Sequence, residues 1–366
     1  MKWFGWKSGR DDARPALSRS ELRRAWAGDW PAGYEAQVRA AYLANPVAQR
    51  AVKLVAESVG NAALEVSEPA VAALLAARPG GVALLETVAA QIMLHGNAFV
   101  QVVTGEAGVA ALFPLRPERV TVEADSDGWP AAYRYRVGER VTRLIADPVR
   151  PEVIHLRAFN PLDDQLGSGC LGAAAAAVAI HNAAARWNKA LLDNAARPSG
   201  ALVYDPGDGS TLSPDQFARL RSEMDASFAG SGNAGRPMLL EGGLKWQALS
   251  LSPADMDFVG LKAAAAREIA LAFGVPPMLL GLPGDSTHAN YKEANRALWR
   301  LTVMPMAGSI LTGLMQGLSG WFVEPAARVD YNQVPALAED RAHLWRSVSA
   351  ADFLTDDEKR KLVGVA

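Results

Sequence analysis

The feature that most constrains this chain is a pair of long helical stretches that bracket one small module. The first runs from Leu171 to Ala195 and its surface is almost all alanine. At 1.5 Å of rise per residue such a helix extends about 37 Å. Arg197-Pro198-Ser199-Gly200 ends it, because proline and glycine cannot continue a helix there. The second has Ser252 as N-cap, Pro253 at N1 and Asp255 at N3, and runs to Phe273 before Gly274 and Pro276-Pro277. Between them, residues 197–250 read as a compact module. It holds a strand at ALVYD, a helix capped at Ser213 with Gln216 three residues on, and a hairpin of PMLLE with LKWQAL around Gly242-Gly243. Phe217, Leu220, Met224 and Phe228 form that helix's apolar stripe. The pattern predicts a stalk that goes down one helix and back up the other, with a head at its tip.

The flanking sequence reads as α+β. Asn45-Pro46 starts a helix with Val47, Leu54, Val55 and Val59 at helical spacing, and Gly60 closes it. An apolar helix around Leu84–Leu94 precedes the strands NAFVQVVTG, VAALFPL, RVTVEAD, AAYRYRV and EVIHLRA. Leu301–Val323 is uncharged and long enough to test as a membrane span. Pro305, four glycines and Gln316 interrupt it, however, and Ile310, Leu311, Leu314, Met315 and Leu318 share one helical face, which favours an amphipathic buried helix. Gly167–Ala185 is too weakly apolar to span. The N-terminus lacks the apolar run of a signal peptide, so export is not expected. Cys170 is the only cysteine, fitting a buried thiol in a reducing cytoplasm.

Charge limits what the chain binds. Across 366 residues, 37 Lys and Arg face 39 Asp and Glu, so no global basic field grips phosphates. Only the arm up to Arg24 is basic, with seven cationic residues against three acidic, and it reads first as a solvated arm. Gly230-Ser231-Gly232-Asn233-Ala234-Gly235 matches GxGxxG literally, but it follows a helix and precedes a strand, the reverse of a dinucleotide site. No Walker A sequence is present, and Ser168 and Ser231 lack nucleophile-elbow spacing. His95, His155, His181, His288 and His343 are scattered without metal-ligand spacing. Asp163-Asp164 sits in a turn-rich loop where aspartates satisfy backbone groups. No cofactor, metal or catalytic set is expected, although Asp163, Asp164 and His155 remain the candidates should the chain be an enzyme. The stretch best suited to a specific contact is the polar, glycine-rich Gly281–Asn290, with Asn290 and Glu293 placed to cap the following helix.

Together these residues resemble the portal proteins of long-tailed bacteriophages, from about Asn45 to Gly364. The resemblance is carried by GNAF at Gly96–Phe99, Pro114-Leu115, VIHL at Val153–Leu156, Gly167 before the first long helix, and ARPSG at Ala196–Gly200. The most telling block is LLEGGLKWQALSLSPADMDFVGLKAAAAREIALAFGVPPMLLG followed by STHANYKEANRALWRLTVMP, and DFLTDDEKR resembles the family's closing helix. The resemblance implies a ring-forming α+β portal fold with wing, two-helix stem, inserted α/β clip and a short C-terminal helical crown. The expected parts are a basic arm (1–33), wing (34–168), first stem helix (169–196), clip (197–251), second stem helix (252–275), tunnel-loop region (276–292), a wing helix with return strand (293–334) and the crown segment (335–366). Gly284, Asp285, Ser286, Thr287, His288 and Asn290 would form the tunnel loop on the DNA channel, and Arg186, Lys189, Lys262 and Arg267 would be the stem's charged residues. Ser231, Asn233, Arg236 and Trp246 would be the clip's contacts for terminase and adaptor. The implied partners are further copies in a ring, usually of twelve, double-stranded DNA in weak contact, the terminase large subunit, a head-tail adaptor and the major capsid protein. The implied place is a virion's portal vertex, assembled in the bacterial cytoplasm. Phage, prophage and gene transfer agent all fit, and a membrane-associated pore or anchor is the alternative.

Overall fold

The computed structural model describes residues 15–18, 31, 33–106, 108–193, 200–205, 207, 211–228, 244–248, 257–282 and 288–364. The chain divides into two units, one comprising Met1–Ala175 with Ile269–Ala366 and the other Ala176–Glu268.

In the first unit, α1 (Tyr34–Val38) and a π-helical turn lead into α2 (Pro46–Gly60). The start of α2 is fixed as its sequence implies. Asn45 Oδ1 accepts hydrogen bonds from the N–H groups of Val47 and Ala48 at 3.1 and 3.0 Å, with Pro46 at N1. Val47, Ala48, Ala51, Val52, Val55, Ala56 and Val59 then form one buried face. Gly60 is the helix's last residue, with Asn61 as its cap.

After β1 (Leu64–Val66), α3 (Pro69–Leu75) and α4 (Leu84–His95), two three-stranded antiparallel sheets follow. One has β2 (Asn97–Gly105) between β3 (Gly108–Leu115) and β7 (Val153–Arg157). The other is a meander of β4 (Val120–Ala124), β5 (Pro130–Val137) and β6 (Arg140–Ile145). The sequence reading had not anticipated β6; its apolar residues Val141, Leu144 and Ile145 do not alternate, and only Leu144 is buried. Phe99, Leu115, Val122, Tyr133, Leu144 and Val153 form a core shared by both sheets, with the Phe99 and Tyr133 rings edge to face at 5.6 Å.

The unit is completed by α8 (His288–Leu298), a π-helical turn over Trp299–Val303, α9 (Met304–Leu318), β10 (Ala327–Val329) paired with β1, and the terminal α10 (Ala338–Ser349) and α11 (Asp356–Val363). Pro305 lacks the N–H that an α-helix would direct to Leu301, and the wider π turn ends just before it. Asn290–Leu318 is long and apolar enough to cross a bilayer. It is nevertheless a core helix. Ala307, Ile310, Leu311, Leu314 and Leu318 are buried, and Gly313 and Gly317 lie where any β-carbon would collide with Leu156 and Ile154 of β7. The membrane-anchor alternative is therefore not supported. Asn290 falls inside α8, which already begins at His288, so the expected Asn290–Glu293 cap is corrected: Glu293 pairs with Arg296 at 2.9 Å instead. At the end of the chain Thr355 and Glu358 form a reciprocal capping box on α11.

The second unit holds most of α5 (Leu171–Asp193) and α7 (Phe258–Ala272), together with β8 (Gly200–Tyr204), α6 (Pro214–Phe228) and β9 (Leu244–Ala248). Ser213 and Gln216 cap α6 reciprocally, at 2.9 and 3.3 Å. β9 pairs antiparallel with β8, whereas PMLLE, its expected hairpin partner, lies outside the described residues, as does Ser252. The expected unbroken helix from Pro253 is corrected. Asp257 adopts φ 38°, which no α-helix accommodates, and its carboxylate accepts from Gly260 N–H at 3.1 Å, so the helix starts at Phe258. Its far end is as expected, with Gly274 at φ 66°.

Asn45→Ala removes the acceptor for two buried N–H groups and should cost about 1–2 kcal/mol. Urea unfolding at constant m-value measures the loss.

Candidate functional site: stem root, stem and channel loop

The root of α5 is held by a lock built on glycine and one buried asparagine. Gly96 caps α4 at φ 84°, turning the chain directly into β2. The next residue, Asn97, is 1% exposed, and its side chain bridges to the loop before α5. Its Oδ1 accepts from Gly167 N–H at 2.7 Å, and its Nδ2 donates to Gly167 C=O at 3.1 Å. The same Oδ1 lies 3.0 Å from His155 Nε2, and Nδ2 lies 3.1 Å from His95 Nδ1. These contacts assign the proton of His155 to Nε2 and leave His95 Nδ1 as the acceptor. Backbone bonds from Ala158 N to Gly96 O and from Cys170 N to Met93 O, both 2.8 Å, close the joint. A β-carbon at Gly96, Gly167 or Gly169 would meet backbone atoms across it. GNAF, VIHL and Gly167 are thus parts of a single contact.

His155 stacks on Phe99 with ring centroids 4.2 Å apart and meets Tyr133 edge to face. Burial, then the positive Arg157 and then His95, push its pKa down from 6.5 to about 3. It is a neutral structural hydrogen-bonding residue. Asp163 Oδ1 accepts from Gln165 and Leu166 N–H groups at 2.8 Å, and Asp164 Oδ2 accepts from Ser18 N–H at 2.9 Å, so this pair closes a loop, as its turn-rich setting implies. Burial raises the Cys170 thiol pKa. Among the described residues no group of His, Cys, Asp and Glu could hold a metal ion.

Beyond this corner, α5 has two contrasting faces. Ala177, Val178, His181 and Ala184 are buried, and Trp187 stacks on Phe258 of α7 at 5.8 Å. Burial, followed by the charge of Lys262, lowers the His181 pKa. Away from the buried face, Ala176, Ile180, Ala183, Trp187 and Ala190 are exposed, alternately four and three residues apart, with Trp187 at the edge where its ring also meets Phe258. That is the spacing of a seam awaiting another helix. Ile180 and Trp187 remain 40% and 42% exposed, and on α7 Val259 is 81% exposed. Sequence reading registered the alanines but not this stripe, although the four–three spacing was available to find it. Arg186, Lys189 and Arg267 are exposed and Lys262 half-buried; Arg267 reaches back to the Ala263 carbonyl at 3.4 Å.

Of the expected channel loop, Gly284, Asp285, Ser286 and Thr287 lie outside the described residues, and His288 and Asn290 stand on the first turn of α8, Asn290 exposed. Of the expected clip contacts, Ser231, Asn233 and Arg236 lie outside them, as does the GxGxxG match, and Trp246 pairs with Leu202 across β8–β9.

Residues 46–364 match the family model described as phage portal protein. The chain belongs to the phage portal protein family. Its relatives include a Rickettsia felis protein 36% identical over 341 residues, which covers 89% of this chain and 88% of that protein. The probable portal protein of Streptomyces phage phiC31 is 28% identical over 261 residues, spanning 69% of this chain and 56% of that one. A chain in the neck of a native gene transfer agent particle, determined with C12 symmetry, is 45% identical with a TM-score of 0.72, covering 95% of this chain and 97% of that chain. In this member of the family the Asn97 lock fixes the corner between α4, β2 and the loop that leads into α5.

Asn97→Ala orphans the Gly167 N–H and C=O and should destabilise by about 1–3 kcal/mol, seen as a lower urea midpoint. The pH test uses His155. The unfolded chain takes up this proton near 6.5 and the folded chain only near 3, so stability falls as pH drops through that window. His155→Gln, which keeps a donor but cannot titrate, should flatten the fall between pH 6.5 and 3 relative to the parent.

Proposed function

We propose that this chain is the portal subunit of a gene transfer agent or related phage-like particle, forming a ring of twelve at one capsid vertex through which double-stranded DNA enters and leaves. The observation that carries the reading is the 45% identity, over nearly the whole length of both chains, to a chain of a particle neck with C12 symmetry. The exposed stripe on α5 supports it, because alanine every seven residues, alternating with Ile180 and Trp187, offers a neighbouring helix holes between apolar knobs. So does the near-neutral chain: every phosphate neutralised adds salt-sensitive affinity, which would brake a sliding duplex.

In this reading residues 34–168 and 293–334 are the wing, 169–196 and 252–275 the stem, 197–251 the clip and 335–366 a short crown. Gly284–Asn290 faces the lumen, and Arg186, Lys189, Lys262 and Arg267 set the charge of the stem. Ser231, Asn233, Arg236 and Trp246 place the clip against the terminase large subunit during packaging and against the head-tail adaptor afterwards. The wing meets the major capsid protein. The role is structural, performed in the virion after assembly in the bacterial cytoplasm. Energy for translocation comes from a separate ATPase.

Negative-stain electron microscopy with native mass measurement tests the reading. Rings of twelve with a hole wide enough for a duplex are expected; a chain that stays monomeric even with its capsid protein would contradict it. Ala183→Arg places a charge in the centre of the exposed stripe without touching the buried face. It should abolish rings in the same mass measurement while leaving the monomer's unfolding midpoint unchanged.

A further inference from the structure

A short stretch ahead of the family-matched region is seated on the wing by main-chain recognition. Pro15–Ser18 lies between the Asp125–Trp129 turn joining β4 to β5 and the loop at Asp163–Gln165. Trp129 Nε1 donates to Pro15 C=O at 2.9 Å, and Leu17 N–H donates to Asp127 C=O at 2.8 Å. Ser18 N–H and Oγ both donate to Asp164 Oδ2, at 2.9 and 3.2 Å, and Asp164 N–H returns a bond to Ser18 C=O at 3.1 Å. Gly128, at φ 86°, leaves room where a β-carbon would strike Leu17. Gln165 Nε2 holds Gly128 C=O at 2.7 Å, and Asp125 Oδ1 accepts from Trp129 N–H at 2.8 Å, so the groove's own walls are braced. Extended peptides are recognised in this way elsewhere: main-chain bonds supply affinity and a few side chains supply register.

Pro31 C=O is held by Gln37 of α1 at 2.8 Å, and Tyr34 of α1 packs on His95 at 4.7 Å. His95 contacts Asn97, which binds Gly167, three residues from Asp164. A relay of contacts thus links the two anchor points, and residues 19–30 join them along the chain, a length with a reach on the order of 40 Å, enough to carry the segment to a neighbouring copy.

We infer that the Pro15–Ser18 segment is an exchangeable strap, and that in the assembled ring it occupies the Asp125–Trp129/Asp163–Gln165 groove of the adjacent copy. The inference rests on the ring reading above. The same hydrogen bonds form in either arrangement, and exchange of an identical element between protomers costs little. A neighbour fixed in a ring presents its groove at high effective concentration. The strap then ties each wing to the next outside the stem seam, and the residue it depends on most is Asp164, which both accepts from and donates to Ser18.

The test replaces the exposed Ala16 with photo-reactive benzoyl-phenylalanine in the full chain, assembled from equal amounts of isotopically heavy and light protein. After irradiation, rings and monomers are separated and their cross-linked peptides identified by mass spectrometry. Links from residue 16 to the 125–129 or 163–165 segments are expected in the ring fraction, with mixed-isotope pairs as abundant as same-isotope pairs and lost on Asp164→Ala. Rings carrying only same-isotope links, or links elsewhere, would overturn the exchange while leaving the ring intact. Absence of rings would count against the portal reading itself.

Discussion

One buried asparagine carries an obligation that the rest of the architecture is arranged to meet. Asn97 has both a donor and an acceptor to satisfy out of water, and it satisfies them on the backbone of Gly167 and on two histidine rings. That arrangement requires Gly96 to turn with a positive φ, His155 to carry a proton on Nε2, and Gly167 and Gly169 to come within backbone distance of the α4–β2 corner. Leu171, 1% exposed, begins the stem helix immediately after the joint. A satisfied polar network fixes this corner, from α4 and β2 to the loop before α5, where apolar packing alone would tolerate slip.

Beyond that joint the chemistry is spare. α5 and α7 keep Arg186, Lys189, Lys262 and Arg267 on exposed or half-buried positions, and the exposed stripe of α5 is alanine with Ile180 and Trp187 at seven-residue spacing. Such a face has little to bury within one chain and becomes useful only against a second helix, in the way that a solenoid repeat or coiled-coil strand is incomplete alone. The near balance of charge follows the same logic from the cargo's side. A ring that gripped phosphates tightly would be a poor conduit.

Local signals in the sequence mapped well onto structure. Asn45-Pro46, Ser213 with Gln216, and Gly274 each act within one turn of the residues they cap, so sequence neighbours suffice to read them. Tertiary signals were less legible. Ser252-Pro253 offers a sound helix start, but the chain breaks at Asp257, whose own carboxylate caps Gly260. Strand β6 pairs its Arg143 and Leu144 with Arg134 and Tyr133 of β5, a partner dependence that no window of six residues reveals. GNAF, VIHL and Gly167 were recognised as family marks, yet their joint purpose spans up to 70 positions and appears only once Asn97 is seen to bridge them. The glycines of α9 were read as interruptions of a membrane span; their reason is the approach of β7.

The most direct test of the account is a cryo-electron reconstruction of the assembled ring at side-chain resolution. The account predicts that Ala176, Ile180, Ala183, Trp187 and Ala190 are buried against a stem helix of the adjacent subunit, with the Asn97–Gly167 bonds intact in every copy. A ring in which this stripe faces open lumen or solvent, its subunits held together elsewhere, would contradict it.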